Sequence, residues 1–160
     1  MNVVDINQLQ IIGQVILAMV LGAIMGIERE YADKPAGLRT HMLVAGAAAL
    51  FVALSTTAVQ QFGTSLGDSL IRSDPIRVME AVITGISFLG AGTILRRNSK
   101  HQVEGLTTAA SILVAAGVGI AVALSQLVLA VGVTILTLVT LRAVPFLEKR
   151  LRRNVTDYKK

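Results

Sequence analysis

The sequence contains no cysteine, which excludes disulfide bonds and zinc sites built from thiolates. Its two histidines, His41 and His101, do not belong to the HExxH pattern of zinc-dependent hydrolases. Aromatic residues make up only 4% of the chain, so the net charge of +5 does not indicate a protein that stacks nucleic-acid bases. We find no nucleophile–base–acid arrangement and no phosphate-binding loop, and we therefore expect no enzyme activity and no cofactor.

Charged residues are also scarce. They make up 16% of the chain, against about 25% in soluble domains, whereas hydrophobic residues make up 53%. The charges are clustered and leave long uncharged stretches, which are typical of helices that cross a bilayer. The sequence therefore predicts an all-α, polytopic membrane protein surrounded by lipid.

Five transmembrane helices account for the pattern. The longest uncharged stretch, residues 106–141, would form a helix of about 54 Å, far longer than the roughly 30 Å hydrocarbon core. We therefore place a turn at its only central polar pair, Ser125-Gln126. Asp74-Pro75 predicts the start of the third helix, because aspartate caps a helix and proline suits its first position. The predicted helices cover residues 9–27, 38–59, 76–95, 106–124 and 127–145.

Basic residues predict the orientation. The segment before the first helix has no lysine or arginine, so it is not a signal peptide, and we expect the N-terminus outside. The first loop, with Lys34, and the third, with Arg96 and Arg97, would then lie in the cytoplasm with the C-terminus. Residues 1–147 would form the membrane domain, and residues 148–160 a basic tail on the anionic lipids of the inner leaflet.

Small residues recur at four-residue spacing. Such stripes allow helix backbones to approach closely in a membrane. They either pack the helices of one subunit or form the seam of a homodimer, for which the stripe of the first helix is the candidate. The stripes are Gly22 and Gly26; Ala45, Ala49 and Ala53; and Ala115, Gly119 and Ala123.

Charged side chains near the helix ends are candidate functional groups, because ionised groups in a membrane are costly and are paired or functional. We expect Glu28, next to Arg29, to pair with Arg39 across the first loop. Glu80 lies about 6 Å along the third helix, where Arg77 could neutralise it. A purely structural ion pair is the alternative for each.

Two further groups are candidates. Gly85, Gly90 and Gly92 either pack the third helix against the first and fourth, or break it so that free carbonyls coordinate an ion. Thr107 and Thr108 open the fourth helix, and they either cap it or line a polar pocket.

Four segments in this order resemble the MgtC/SapB family of bacterial inner-membrane proteins. They are GIERE at 26–30 with AGLRTH at 36–41, DPIR at 74–77, SFLGAGTI at 87–94 and GLTTAAS at 105–111. The likeness extends over residues 22–144, with Ser87 at a position where the family usually has glycine. Many members also carry a cytoplasmic C-terminal regulatory domain, and this chain stops where that domain would begin.

The resemblance implies a multi-pass protein of the bacterial inner membrane, linked to growth at low magnesium and, in pathogens, to virulence through survival inside host cells. The resemblance implies that the residues matching the family's motifs are important for function. Glu80, in contrast, is particular to this chain. Those matching residues are Glu28, Arg29, Arg39, Asp74, Arg77, Gly90, Gly92, Gly105, Thr107 and Thr108.

Two hypotheses on function remain open. The first is a regulator or adaptor of ion homeostasis that binds another membrane protein, such as an ion pump or transporter. The second is a small Mg²⁺ or H⁺ transporter or channel whose path includes Glu80 and the glycine-rich third helix. Because Mg²⁺ needs oxygen ligands and the membrane segments contain few carboxylates, the sequence favours the first.

Overall fold

The computed structural model describes residues 3–66, 75–97 and 102–157. The predicted all-α class is confirmed, with one short antiparallel hairpin added between the third and fourth helices. The elements are α1 (Val3–Tyr31), α2 (Leu38–Leu66), α3 (Pro75–Ala91), β1 (Leu95–Arg97), β2 (Gln102–Glu104), α4 (Leu106–Ala123) and α5 (Leu127–Asp157).

Within the part of the chain that the structure describes, four helices are long and apolar enough to cross a membrane, namely α1, α2, α4 and α5. A helix satisfies its own backbone hydrogen bonds, so it is the natural form of an apolar chain in hydrocarbon. The protein is therefore a multi-pass membrane protein. The remaining helix, α3, has 17 residues and is about 25 Å long, which is at the short limit for a span.

The turn between α4 and α5 lies at Ser125-Gln126, as predicted. Ser125 has a left-handed backbone (φ 59°), and the amide of Gln126 donates to the carbonyl of Ala121 at 2.8 Å. From α1, the side chain of Gln14 donates to the carbonyl of Ala123 at 3.2 Å. A polar residue inside a membrane helix thus satisfies an orphan carbonyl where α4 ends.

Three helices continue beyond the predicted membrane spans. The acidic and basic residues at 28–30 do not end α1, which continues to Tyr31 because the breaker, Pro35, comes only later. The segment after residue 59 contains no proline before Pro75, and α2 continues through it to Leu66. α5 includes the predicted separate tail as far as Asp157, because that segment is rich in the helix formers leucine, lysine and arginine.

The third predicted helix ends four residues early, at Ala91 instead of residue 95. There Gly92 and Thr93 form a turn, and Leu95–Arg97 pairs with Gln102–Glu104 in the register Leu95 to Glu104. The two arginines that were predicted to close a helix thus belong to a hairpin.

The core is formed by α1, α2 and α4. α2 and α4 run parallel, since His41 lies beside Ser111 and Ala45 beside Gly119. α1 runs antiparallel to both, with Gln14 near the end of α4 and Gly22 beside His41. Alanine dominates this core, which is why the three helices approach closely.

Glycines mark the closest approaches. A Cβ at Gly26 would lie 2.7 Å from the Cα of Leu38, and one at Gly119 would overlap the carbonyl oxygen of Ala45. Gly22 is likewise in contact with the backbone of His41. The stripes therefore pack helices within one subunit, and α2 occupies the glycine stripe of α1 that was a candidate dimer seam.

α3 runs back along α2 towards the start of α4. A Cβ at Gly90 would lie 3.4 Å from Ala109, so α3 ends beside the first turn of α4. Beside α2, α3 leaves an apolar groove of about 640 Å³. The groove is lined by residues of both helices, among them Phe51, Ser55, Arg77 and Gly85.

Candidate functional site

A buried polar cluster lies where α1 ends and where α2 and α4 begin. Each of its members has at most 9% of its surface exposed, in a part of the molecule otherwise built from small apolar residues. The members are Glu28 and Arg29 of α1, His41 of α2, and Thr108 and Ser111 of α4.

Glu28 and Arg29 form an ion pair. The Nε of Arg29 donates to Oε2 of Glu28 at 2.8 Å. Consecutive residues on a helix do not normally face each other, so this pairing requires both side chains to bend towards the same pocket. The predicted partner, Arg39, is exposed, and the expected pair between Glu28 and Arg39 is wrong. Arg29 is nearer and is itself buried, so its charge requires a counter-charge.

His41 joins α2 to α4. Its Nδ1 donates to the carbonyl oxygen of Gly37 at 3.0 Å, and its Nε2 lies 3.1 Å from the Oγ of Ser111. The Oγ of Ser111 also lies 2.9 Å from the carbonyl oxygen of Thr108. The ring is completely buried, and both nitrogens have partners.

This chain of bonds can hold its hydrogens in two ways. Because a carbonyl only accepts, Nδ1 of His41 carries a hydrogen in both. In the first, the Ser111 hydroxyl donates to Nε2 and the imidazole is neutral. In the second, Nε2 donates to Ser111, whose hydroxyl donates to the carbonyl of Thr108, and the ring is an imidazolium. The arrangements differ by one proton and by the direction of one hydroxyl.

Glu30 holds the loop between α1 and α2. Its Oε2 accepts from the backbone amide of Leu38 at 2.9 Å, which caps α2 with a side chain from α1. A Cβ at Gly37 would lie 2.8 Å from this same oxygen. The glutamate and the glycine therefore form one structural unit.

The two threonines of α4 differ. Thr108 is buried in the cluster, whereas Thr107 is exposed. Neither threonine caps the helix, because Gly105 occupies the N-cap position and no side-chain hydrogen bond caps the helix there. Gly105 has φ 94°, and a Cβ there would overlap the carbonyl oxygen of Thr93. The capping interpretation is thus wrong, and Gly105 provides the tight junction between hairpin and helix.

The predicted residues of α3 lie away from this cluster. Arg77 and Glu80 are both exposed, and within the described part of the chain they form no ion pair with each other. Asp74 lies outside the described residues, although α3 does begin at Pro75 as predicted.

The glycines of α3 have separate surroundings. Gly90 packs on Ala109 of α4, and Gly85 borders the groove, where a Cβ would meet nothing within 4 Å. Gly92 follows the end of the helix, and its amide donates to the carbonyl of Phe88 at 3.1 Å. The helices beside α3 are α4 and α2, so close packing against the first helix is not what these glycines provide.

The cluster does not have the donors of a metal site. Among the residues that the structure describes, no group of three or more histidine, aspartate or glutamate residues could hold a metal ion. The cluster's one carboxylate already accepts from an arginine, and its histidine has partners on both nitrogens.

Sequence reasoning selected Glu28, Arg29 and Thr108 but missed His41 and Ser111 as a pair. Both belong to the recognised motifs, AGLRTH and GLTTAAS, and both lie just inside predicted spans. A polar side chain at that depth in a membrane helix needs a hydrogen-bonding partner. Two such side chains at matching depth on different helices were the signal that could have identified the pair.

The comparisons with known proteins agree with these motifs. The model of the MgtC family matches residues 15–150. The chain belongs to the MgtC family. No solved structure matches the chain significantly.

Relatives come from several bacteria. A Haemophilus influenzae protein named "Uncharacterized protein" is 37% identical over 92% of this chain. The "Putative magnesium transporter YhiD" of Escherichia coli K12 is 38% identical over 88%. "Protein MgtC" of Salmonella typhimurium strain 14028s is 39% identical over 76%. The chain spans 60%, 63% and 46% of the lengths of these relatives, respectively.

Proposed function

We propose that this MgtC family protein is a regulator or adaptor of magnesium handling in the bacterial inner membrane, and not itself the path of the ion. The family and its magnesium-related relatives support a membrane protein tied to magnesium. The choice of an adaptor rests on how the core is packed.

The observation that carries the proposal is the contact between backbones in the core. Glycines bring α1 onto α2 and α2 onto α4, so that even one added methyl group would overlap a carbonyl at Gly22 or Gly119. The buried polar cluster is closed by its own hydrogen bonds. Such packing supports a rigid scaffold and leaves no wet path between these three helices.

We further propose that α3 is a fifth span. α2 and α4 lie parallel, so the segment between them must return from one end of the bundle to the other. α3 makes that return beside α2, and Gly90 in its last turn lies next to Ala109 of α4. In a bilayer crossed by α2 and α4, this route takes α3 through the hydrocarbon.

The proposed orientation places the buried polar cluster near the cytoplasm. The loop at residues 32–37 and the β-hairpin lie at the same end of the bundle, and both carry basic residues. The positive-inside rule then places this end, and the basic end of α5, beside the anionic lipids of the inner leaflet.

Co-purification from native membranes tests the adaptor. Tagged protein is extracted in mild detergent from cells grown at low and at high magnesium, and its companions are identified by mass spectrometry. We expect one stoichiometric membrane protein, enriched at low magnesium, while a tagged unrelated multi-pass protein serves as the control. Isolation without a companion under both conditions would contradict the adaptor.

The alternative, a cation transporter, is favoured by one observation: Glu80 is an exposed acid on α3. In proteoliposomes, a transporter would carry Mg²⁺ or H⁺, and Glu80→Gln would reduce that flux. The adaptor proposal expects no flux above that of empty liposomes and no effect of the substitution.

A further inference from the structure

We propose that the groove between α2 and α3 binds one phospholipid, with the phosphate on Arg77 and one acyl chain along the groove. This inference rests on the proposed passage of α3 through the bilayer, but not on the adaptor function. The groove has a volume of about 640 Å³ and contains no member of the buried polar cluster, so it is a separate site.

Small residues make the room between the two helices. Ala48 of α2 is buried at the groove, and a Cβ at Gly85 of α3 would meet nothing within 4 Å. Phe51 and Leu54 border the same space and are about half exposed. With α2 and α3 both in the bilayer, this space faces hydrocarbon. An acyl chain that enters it gains the dispersion contacts that an empty apolar groove lacks.

The groove has one charged end. Among the described residues that line it, Arg77 alone is ionisable. Ser55, which is also polar, donates to the carbonyl oxygen of Val52 at 2.8 Å and so has a partner within its own helix. Because α3 runs antiparallel to α2, Arg77 lies at the same end as Ser55, and Gly85 lies towards the other end. A cation at one end of an apolar groove is complementary to a phosphate attached to an acyl chain.

Arg77 lies at the depth of the lipid phosphates. It is two residues from the first residue of α3, Pro75, which is about 3 Å of helix rise, and its long side chain can extend to the interface. It is exposed and forms no ion pair within the described part of the chain, while Glu80, one turn deeper, does not line the groove. The proposed orientation assigns this end of α3 to the outer leaflet, whose phosphates supply the missing counter-charge.

The length of the groove favours a lipid over a second copy or another membrane helix. Arg77 and Ile86, its outermost residues on α3, are separated by about 14 Å of helix rise, close to the 15 Å or so of hydrocarbon in one leaflet. Beyond Ile86, α3 packs on α4, where Gly90 lies beside Ala109. A transmembrane helix would need a groove through both leaflets, whereas one acyl chain fills a groove of this length.

Titration of the delipidated protein with phosphatidylglycerol, followed by native mass spectrometry, tests the site. We expect one tightly bound lipid per chain. Arg77→Gln removes a charge-assisted hydrogen bond and should raise the Kd of this lipid about tenfold. Gly85→Leu fills the groove and should abolish the tight binding. A diacylglycerol with the same acyl chains lacks the phosphate, so the unaltered protein should bind it as weakly as Arg77→Gln binds phosphatidylglycerol.

Matched substitutions outside the groove serve as controls. Gly117→Leu fills a smaller recess between α4 and α5 that no charged residue lines, and Arg142→Gln removes an exposed arginine of α5. Neither should change the Kd of the tightly bound lipid. Equal weakening by all four substitutions, or unchanged binding in both Arg77→Gln and Gly85→Leu, would overturn the proposal. Displacement of the lipid by inorganic phosphate would also overturn it, because the site would then be one for a free anion.

Photo-crosslinking locates the acyl chain. Phosphatidylglycerol with a diazirine on one chain is reconstituted with the protein in vesicles of phosphatidylethanolamine and phosphatidylglycerol, and the modified residues are identified by mass spectrometry. Phe51 in the groove is 54% exposed and Ile135 on α5 is 55% exposed, so the two are matched in access to lipid. We expect several-fold more modification at Phe51, and we expect Gly85→Leu to remove the difference.

The failures of this inference and of the proposed function are distinguishable. Equal modification of Phe51 and Ile135 would mean that fluid lipid alone covers the groove. Protection of Phe51 by a companion protein in native membranes would mean that this protein occupies it. Either result overturns the lipid site and leaves the topology and the adaptor intact. Cysteine labelling that removes α3 from the bilayer would overturn the lipid site together with the fifth span.

Discussion

His41 and Ser111 are 70 residues apart in the sequence, and their Nε2 and Oγ atoms lie 3.1 Å apart inside the core. This contact connects the N-terminal parts of two parallel helices, α2 and α4. It also belongs to a chain of hydrogen bonds that runs from Gly37 through His41 and Ser111 to Thr108.

Ser111→Ala should destabilise the protein, because Nε2 of His41 would be left buried without a partner. The expected loss of unfolding free energy is about 1–3 kcal/mol, measured by thermal or denaturant unfolding in detergent. Thr140→Ala is the control, since that hydroxyl is exposed and donates only to its own helix. A double variant that also replaces His41 by leucine should recover part of the loss, and no recovery would contradict the assigned pairing.

Glu28→Ala should lower the free energy of unfolding by more than is usual for a substitution near a helix end. It leaves the Arg29 guanidinium buried without its counter-charge, and breaking such a pair costs about 3–5 kcal/mol. Arg39→Ala removes an exposed charge and should change stability by no more than about 0.5 kcal/mol. Equal effects of the two substitutions in unfolding experiments would favour the clasp between Glu28 and Arg39 that the sequence predicted.

Gly119→Ala should weaken the contact between α4 and α2. The added methyl group overlaps the backbone of Ala45, which cannot move without shifting a helix, and overpacking of this kind costs about 1–3 kcal/mol. Gly117→Ala, two residues earlier, meets nothing within 4 Å and should leave stability unchanged or raise it by up to about 1 kcal/mol. Unfolding midpoints in detergent compare the two, and a lower midpoint for Gly117→Ala would contradict the packing.

Sequence reasoning succeeded where a single local signal decides the structure. The uncharged stretch from residue 106 had to contain a turn, and Ser125-Gln126 was the available polar pair. Pro75 likewise marked the start of α3. Helix ends outside the bilayer were harder to predict, because the thickness of the hydrocarbon no longer limits the length of the helix. α5, for example, continues to Asp157.

The site was recognised only in part, because its pairings depend on which helices become neighbours. The motifs drew attention to Glu28 and Arg29, but the choice of Arg29 as the partner follows from the burial of both residues in the folded protein. Similarly, the small-residue stripe of α1 was visible in the sequence, whereas its contact with α2 required the fold.

The proposed topology depends most on the number of membrane crossings, and cysteine accessibility in intact cells tests that number most directly. Single cysteines replace Asp33 in the first loop, Val103 in the hairpin and Ser125 in the last turn. With α3 crossing the bilayer, Asp33→Cys and Val103→Cys are both protected from an impermeant maleimide, and Ser125→Cys is labelled. If Val103→Cys is labelled while Asp33→Cys and Ser125→Cys are both protected, only four helices cross, and the account is contradicted.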